Sequence, residues 1–247
     1  MLDYLGIAYK LVTLVDTIIQ FAVIILGALG FSIPFGLYIA RMISFELRPL
    51  EKPLAKVERG FFKLIGIDAD KQMTWKQYFL AVFTTSVISI LFVILVLSFQ
   101  NYLPSSQHVN GLSIDLAFHT ATSFITNTDL QHYVGENQLS ILSQMIALTF
   151  AMFIAPAIGI ATAFAFIRGF IRKNFGLGNF YVDFVRVIIT LLLPVAFISS
   201  LLLMITGVPQ TLNSSVTINT IDGNNQTISM GPVASLESIK ELGENGG

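Results

Sequence analysis

The sequence predicts an all-α polytopic membrane protein with about four transmembrane helices and two re-entrant, pore-type helices. Three observations carry this. Only 12% of the 247 residues are charged and 54% are hydrophobic, against about 25% charged in soluble domains. Four runs are apolar and long enough to cross a hydrocarbon core of about 30 Å. Two further stretches, 113–131 and 231–247, each join a half-length helical segment to a small polar turn, and neither can span.

Composition also excludes. With no cysteine there is no disulfide framework and no thiolate metal site. A net charge of −1 and a pI near 6.3 give no footprint for nucleic acid. Residues 1–10 lack the basic start of a cleaved signal peptide, so the first span is expected to serve as the targeting signal. No His/Cys/carboxylate set has metal-ligand spacing, and no P-loop, GxSxG or aspartyl-phosphate motif occurs. The chain is therefore expected to carry no catalytic residue.

Residues 1–41 read as an extra N-terminal transmembrane segment. Met1 to Asp16 is mildly apolar and reads as interfacial, and Thr17 to Ala40 is the uncharged span. Gly27, Gly30, Pro34 and Gly36 in it suit close packing and a kink. Residues 42–77 are the most charged region and are cytoplasmic by the positive-inside rule. Within them, Pro53 to Leu64 predicts a short amphipathic helix with Leu54, Val57, Phe61 and Leu64 on one face; the loop is solvated or interfacial, or docks a soluble partner.

Residues 78–167 form the first repeat. It comprises a span from Tyr78 to Phe99, a half-length helix from Ser113 to Phe124, the polar turn Ile125 to Thr128, and a span from Leu139 to Ile167. Pro156 and Gly159 predict a bend or broken turn near Ala155 to Ile160. Ser143 and Gln144 either face a pore or bond neighbouring helices. Residues 168–186 form a second basic, cytoplasmic loop, in which Asp183 and Arg186 have the spacing to pair on one helix face. Residues 187–247 form the second repeat: a span from Val187 to Ile205 containing Pro194, a polar loop from Gly207 to Met230, a half-length helix from Gly231 to Leu242, and the turn 243–247. Both basic loops fall on one side, which leaves the N-terminus and both polar turns outside.

Two such turns on one face fit an ion filter. A desolvated cation needs its water replaced by oxygens, and backbone carbonyls do this without adding charge. A helix aims the negative end of its dipole out of its C-terminus. Thr126, Asn127 and Thr128 offer hydroxyl and amide groups to brace one turn. Gly243, Gly246 and Gly247 give the other the backbone freedom of glycine. Carbonyls without a ring of carboxylates suit a monovalent cation such as K⁺ better than Ca²⁺ or Mg²⁺. Taken singly, Asp129 reads as a helix cap and GENGG as a frayed tail; their co-occurrence after two half-helices favours the filter. His119 reads as packed, His108 and His132 as surface residues.

Several segments carry a family resemblance: Ile65-Gly66-Ile67-Asp68, Met73 to Tyr78, Leu116-Ala117-Phe118, Ser123 to Thr128 with Gln131, Tyr133 and Gly135-Glu136, and Gln144-Met145. Arg168-Gly169-Phe170, Gly178-Asn179-Phe180 with Asp183 and Arg186, Gly231 to Ser235, Ile239-Lys240, Leu242-Gly243 and Asn245-Gly246-Gly247 complete it. Together they resemble the potassium-transporting A subunit family of Kdp ATP-driven uptake complexes. The resemblance implies a potassium-channel-like fold of four span–pore-loop–span units with an extra span at each end, in the cell membrane, holding K⁺ in an external filter. It implies a separate P-type ATPase subunit that hydrolyses ATP, small accessory subunits, and no ATP bound by this chain. Carried over, the first filter strand is Thr126, Asn127 and Thr128, with Gln131 at its outer edge. The second is Asn245 and Gly246, flanked by Gly243 and Gly247. This chain departs from the family pattern at Asp129-Leu130, where Asn-Trp is usual, at Glu244, where Thr is usual, and at His119, where Asn is usual. Against four such units the chain reads as an N-terminal half, truncated within its second filter, either completed by a second chain or a non-conducting fragment. Stand-alone potassium channels and Trk/Ktr-type cation transporters share the pore-loop unit and are the alternative relatives.

Overall fold

The computed structural model describes residues 2–44, 52–104, 109–171 and 176–244; for 2–13, 44, 52, 54 and 55 it describes the backbone alone. Helix α1 runs Leu2–Ser44 and belongs to a compact unit of its own. Its apolar stretch Leu14–Ile43 is long enough to cross a membrane. Residues 2–16, read as interfacial, are helical and continuous with the span. Residues 17–40 of the helix carry no charged side chain, as suits a span in lipid.

The second unit holds the remaining elements: α2 (Lys52–Ile65), α3 (Trp75–Ser98), α4 (Ile114–Ile125), α5 (Gly135–Gln138), α6 (Ile141–Ile171), α7 (Phe180–Ile205), the hairpin β1 (Ser215–Asn219) and β2 (Asn225–Ser229), and α8 (Val233–Leu242). Helices α3, α6 and α7 are, like α1, long and apolar enough to span. The chain is thus an all-α polytopic membrane protein with one small hairpin.

Local chemistry sets the boundaries. At the start of α3, Gln77 N–H donates to Thr74 Oγ1 and Thr74 N–H to Gln77 Oε1, a reciprocal capping box. Helix α7 begins at Phe180, seven residues before the expected Val187, because Asn179 Oδ1 accepts from Tyr181 N–H at 3.1 Å. A wide π-helical stretch, Val187–Leu192, precedes Pro194 in α7. Such a turn accommodates a ring that lacks an N–H and crowds the preceding carbonyl. In α6 the π-helical stretch is Gln144–Leu148, and the helix continues through Pro156. Of the bend or broken turn expected near Ala155 to Ile160, the broken turn is absent. Pro156 is buried in protein, where a freed carbonyl is tolerated.

Helix α6 is the centre of the second unit. Ala147, Ala151, Ala155, Ala161 and Ala165 are buried along it, and small residues let membrane helices approach closely. Helix α4 packs against α3 and α6, and α8 against α7 and α6. Phe79, Leu80, Phe83, Leu91 and Leu95 of α3 and Phe197, Ile198 and Leu202 of α7 point outward, an apolar belt of the kind that faces lipid rather than water. The loop expected after α7 contains an antiparallel hairpin, registered from Ser215 opposite Ser229 to Asn219 opposite Asn225. Its turn carries Asp222-Gly223, with Gly223 at φ 81°, a strong hairpin signal.

Candidate functional site

Helix α4 has twelve residues and buries Ala117, Thr120, Ala121, Ser123, Phe124 and Ile125. At 1.5 Å per residue it is about 18 Å long, roughly half a bilayer core. In its first turn the Asp115 carboxyl is held below the usual range, chiefly by a hydrogen bond from the Ser113 hydroxyl. It ends in a complete Schellman motif. Thr128 N–H donates to Ser123 O at 2.9 Å, Asn127 N–H donates to Phe124 O at 3.3 Å, and Asn127 is left-handed at φ 58°. Asn is the best substitute for Gly at that position. Ser123 then holds the rest of the turn: its carbonyl also accepts Asp129 N–H at 3.3 Å and its Oγ accepts Leu130 N–H at 2.6 Å. Thr126 Oγ1 donates back to Thr122 O at 2.8 Å and lies 3.1 Å from Thr128 Oγ1.

Helix α8 ends the same way. Gly243 caps it at φ −88°, ψ 2°, and Glu244 is left-handed at φ 59°. The corresponding residues of α4 are Thr126, at φ −92°, ψ 6°, and Asn127. Two half-length helices therefore finish on one backbone path, with Thr126 matching Gly243 and Asn127 matching Glu244. The two ends also touch: Asn127 Nδ2 donates to Gly243 O at 3.1 Å.

Of the eight residues read from sequence as filter positions, Thr126, Asn127, Thr128 and Gln131 are exposed, and Gly243 is buried at the α8 cap. Asn127 and Gly243 are in contact; Asn245, Gly246 and Gly247 lie outside the described residues, as does His108. Beside this contact, residues of the first turn and of α8 line an open cavity of about 520 Å³, with Asp129, Gln131, Glu136, Gln144, Glu237 and Lys240 in its wall. Lys240 pairs with Glu237 at 2.7 Å. His132 is exposed and His119 half-buried, with ring centroids 4.4 Å apart.

Sequence reasoning missed the brace behind the first turn. Gln100 is fully buried and all its amide groups are bonded. Its Nε2 donates to Asn110 O at 2.7 Å and Gln138 O at 2.8 Å, while its Oε1 accepts Ser140 N–H at 3.1 Å and Ser143 Oγ–H at 2.7 Å. One side chain thereby ties both chain segments that flank α4 to the start of α6. Ser143 also meets Ser140 Oγ, and Gln144 donates to Gly135 O and Leu139 O. Both residues bond neighbouring segments, as one of the two expectations held. Its only sequence signal was an uncharged polar residue directly after an apolar span.

At the other end of the second unit, the spans are locked by ion pairs. Arg168 forks onto Asp183 at 2.7 and 2.8 Å, and both are buried. The Tyr78 hydroxyl lies 2.6 Å from Ala161 O and 3.2 Å from Asp183 Oδ2. Gly178, at φ 93°, abuts the guanidinium, and a Cβ there would overlap it. Arg186 pairs with Glu58 of α2 at 3.2 Å, and Thr190 Oγ1 also donates to Glu58. The Asp183–Arg186 pairing suggested by spacing is thus replaced by two pairs, each reaching another segment.

Residues 21–247 match the family described as potassium-transporting ATPase A subunit. A potassium-transporting ATPase potassium-binding subunit of Alicyclobacillus acidocaldarius subsp. acidocaldarius is 43% identical over 233 residues, which is 93% of this chain and 41% of the relative. The protein of the same name from Caldanaerobacter subterraneus subsp. tengcongensis is 41% identical over 215 residues, 87% of this chain and 38% of the relative. The chain spans about two fifths of the length of these curated relatives.

Proposed function

The chain belongs to the potassium-transporting ATPase A subunit family, and from that premise we propose that it binds K⁺ and helps pass it across the membrane within an ATP-driven uptake complex. In this reading it is a non-catalytic subunit, and ATP is hydrolysed by a separate P-type ATPase subunit accompanied by small accessory subunits. The turns after α4 and α8 are two walls of one filter, with Thr126, Asn127, Thr128, Gln131, Gly243, Asn245, Gly246 and Gly247 as its residues; the remaining walls come from outside these residues. K⁺ is the cargo.

One observation carries this reading: two half-length helices end on the same backbone path and are joined by the Asn127–Gly243 hydrogen bond. Both helix C-termini then present the negative end of a dipole to the same neighbourhood. Carbonyls and hydroxyls there can replace the water of a monovalent cation. Division into an extra span (1–41), a basic loop (42–77), one full repeat (78–167), a second basic loop (168–186) and a second repeat (187–247) is part of the proposal. So is its sidedness, with the basic loops cytoplasmic and the filter outside.

The test is the ATPase activity of the assembled complex carrying this chain. K⁺ should stimulate hydrolysis where Na⁺ does not. Thr128→Val, which keeps shape and removes the hydroxyl beside Thr126, should raise the K⁺ concentration required. Stimulation that is indifferent to Thr128 and to the choice of cation would remove the filter from this chain.

A further inference from the structure

We propose that α2 is a membrane-surface helix that binds the anionic headgroup layer of the bilayer, with Val57, Phe61 and Leu64 among the acyl chains and Lys56 and Lys63 at lipid phosphates. This rests on the membrane placement of α3, α6 and α7 and is independent of the filter.

Helix α2 divides into three faces. One is docked: Glu58 and Phe62 are buried, Glu58 bonds Arg186 and Thr190, and Phe62 packs with Val182 and Val185. A second is apolar and exposed, formed by Val57, Phe61 and Leu64 at helical spacing, with Leu64 81% exposed. The third carries Lys56, Arg59 and Lys63, all exposed, again at helical spacing. Of the apolar stripe expected from the sequence, Val57, Phe61 and Leu64 share one exposed face and do not pack on the described protein, while the side chain of Leu54 lies outside the described residues. Its occupant lies elsewhere.

Depth identifies that occupant. The partners of Glu58 and Phe62 lie within the first turns of α7. With 26 residues, α7 is about 39 Å long, longer than the roughly 30 Å hydrocarbon core. The surplus of about 9 Å is about six residues; taken at this end it sets Val182, Val185 and Arg186 at the headgroup level, with Thr190 a turn deeper, and α2 beside them. A helix at that depth, apolar on one stripe and basic on another, has the signature of an interfacial helix. The start of α3 gives an independent marker of the same level. Trp75 is 66% exposed, and Lys76 Nζ sits 5.6 Å over its ring; tryptophan and basic side chains both favour the headgroup region. Each basic residue near an anionic surface strengthens attachment by about fivefold.

The native chain has no cysteine, so single probes are clean. The full chain is placed in nanodiscs of phosphatidylcholine alone or mixed with phosphatidylglycerol, with an environment-sensitive dye on Leu64→Cys. Phe83→Cys reports the lipid-facing belt and the folded, inserted state; Ile221→Cys, at a fully exposed position of the hairpin turn, reports water. The Leu64 probe is expected to be quenched by lipids brominated high on the acyl chain, as at Phe83, and to be shielded from iodide. Phosphatidylglycerol should increase that contact. K56Q/K63Q should reduce the increase by about fivefold per charge, with the Phe83 probe unchanged. Iodide access at Leu64 equal to that at Ile221 overturns the proposal. So does shielding from both quenchers, which means a protein covers the stripe, and so does lipid contact indifferent to phosphatidylglycerol and to K56Q/K63Q.

Discussion

The side-chain amide of Asn127 meets the backbone carbonyl of Gly243 at 3.1 Å, across a separation of 116 residues, and this bond joins the C-terminal ends of α4 and α8. Asn127 has two separable roles, a left-handed backbone and an amide donor. Asn127→Gly keeps the first and loses the second, so the melting temperature in detergent should hardly change while the complex needs more K⁺. Asn127→Ala loses both, and should also destabilise the chain by about 1–2 kcal/mol. Equal melting temperatures for the two variants would show that the turn does not depend on the left-handed residue.

Glu244 occupies the matching position in the second turn, also at positive φ, with a side chain poorly suited to it. Glu244→Gly removes that strain and should stabilise the chain by about 1 kcal/mol. Thermal unfolding in detergent measures it directly. A fall in stability would mean that the carboxylate makes a contact worth more than the strain.

These turns show how far sequence reaches. The position of α4, the end of α3 and the polar turn at 125–128 were legible because hydropathy and helix-stop chemistry are local. The similar ending of α8 was visible as pattern only, since ELGEN shares no residues with ITNT at matched positions. The contact between them was not legible, because nothing local encodes a meeting between Asn127 and Gly243. Ion pairing failed for the same reason. Asp183 and Arg186 have helical spacing, yet Arg168 approaches Asp183 from α6 and Glu58 approaches Arg186 from α2. The hairpin was available in the Asp222-Gly223 signal and in the alternation of Val216 and Ile218 with polar residues; overall polarity pointed instead to a loop.

Gln100 is the brace whose loss should loosen the first repeat most. Gln100→Ala leaves the carbonyls of Asn110 and Gln138 and the N–H of Ser140 without these partners. Of these three only the Ser140 bond is fully buried, since Asn110 and Gln138 are exposed residues; at about 1–3 kcal/mol for a buried group left unsatisfied, the change should destabilise by about that amount. Hydrogen exchange should then rise in residues 109–113 and 138–143, where these bonds lie, and much less in α7. Uniform exchange across all spans would show that the effect is global and that Gln100 is no local brace.

Arg168 and Asp183 form a buried, forked pair, and breaking it leaves a charge without compensation. Asp183→Ala should cost about 3–5 kcal/mol. Arg168→Lys should also destabilise, because a point cation cannot form two parallel bonds. Removing both charges in Arg168→Met/Asp183→Leu should cost less than the sum of Arg168→Met and Asp183→Leu made singly, a cycle closed by the native chain. Thermal unfolding of the four proteins gives the coupling, and strict additivity would mean that the pair does not act as a unit.

The central claim, that the turn after α4 is a wall of the K⁺ path, is tested most directly by Gln131→Arg in the assembled complex. Gln131 is exposed and lines the cavity beside that turn. A fixed positive charge there, at a cost of about 1–2 kcal/mol to a nearby cation, should raise the K⁺ concentration for half-maximal uptake about tenfold, with the melting temperature unchanged. Uptake with the same K⁺ dependence as the native complex would contradict the account.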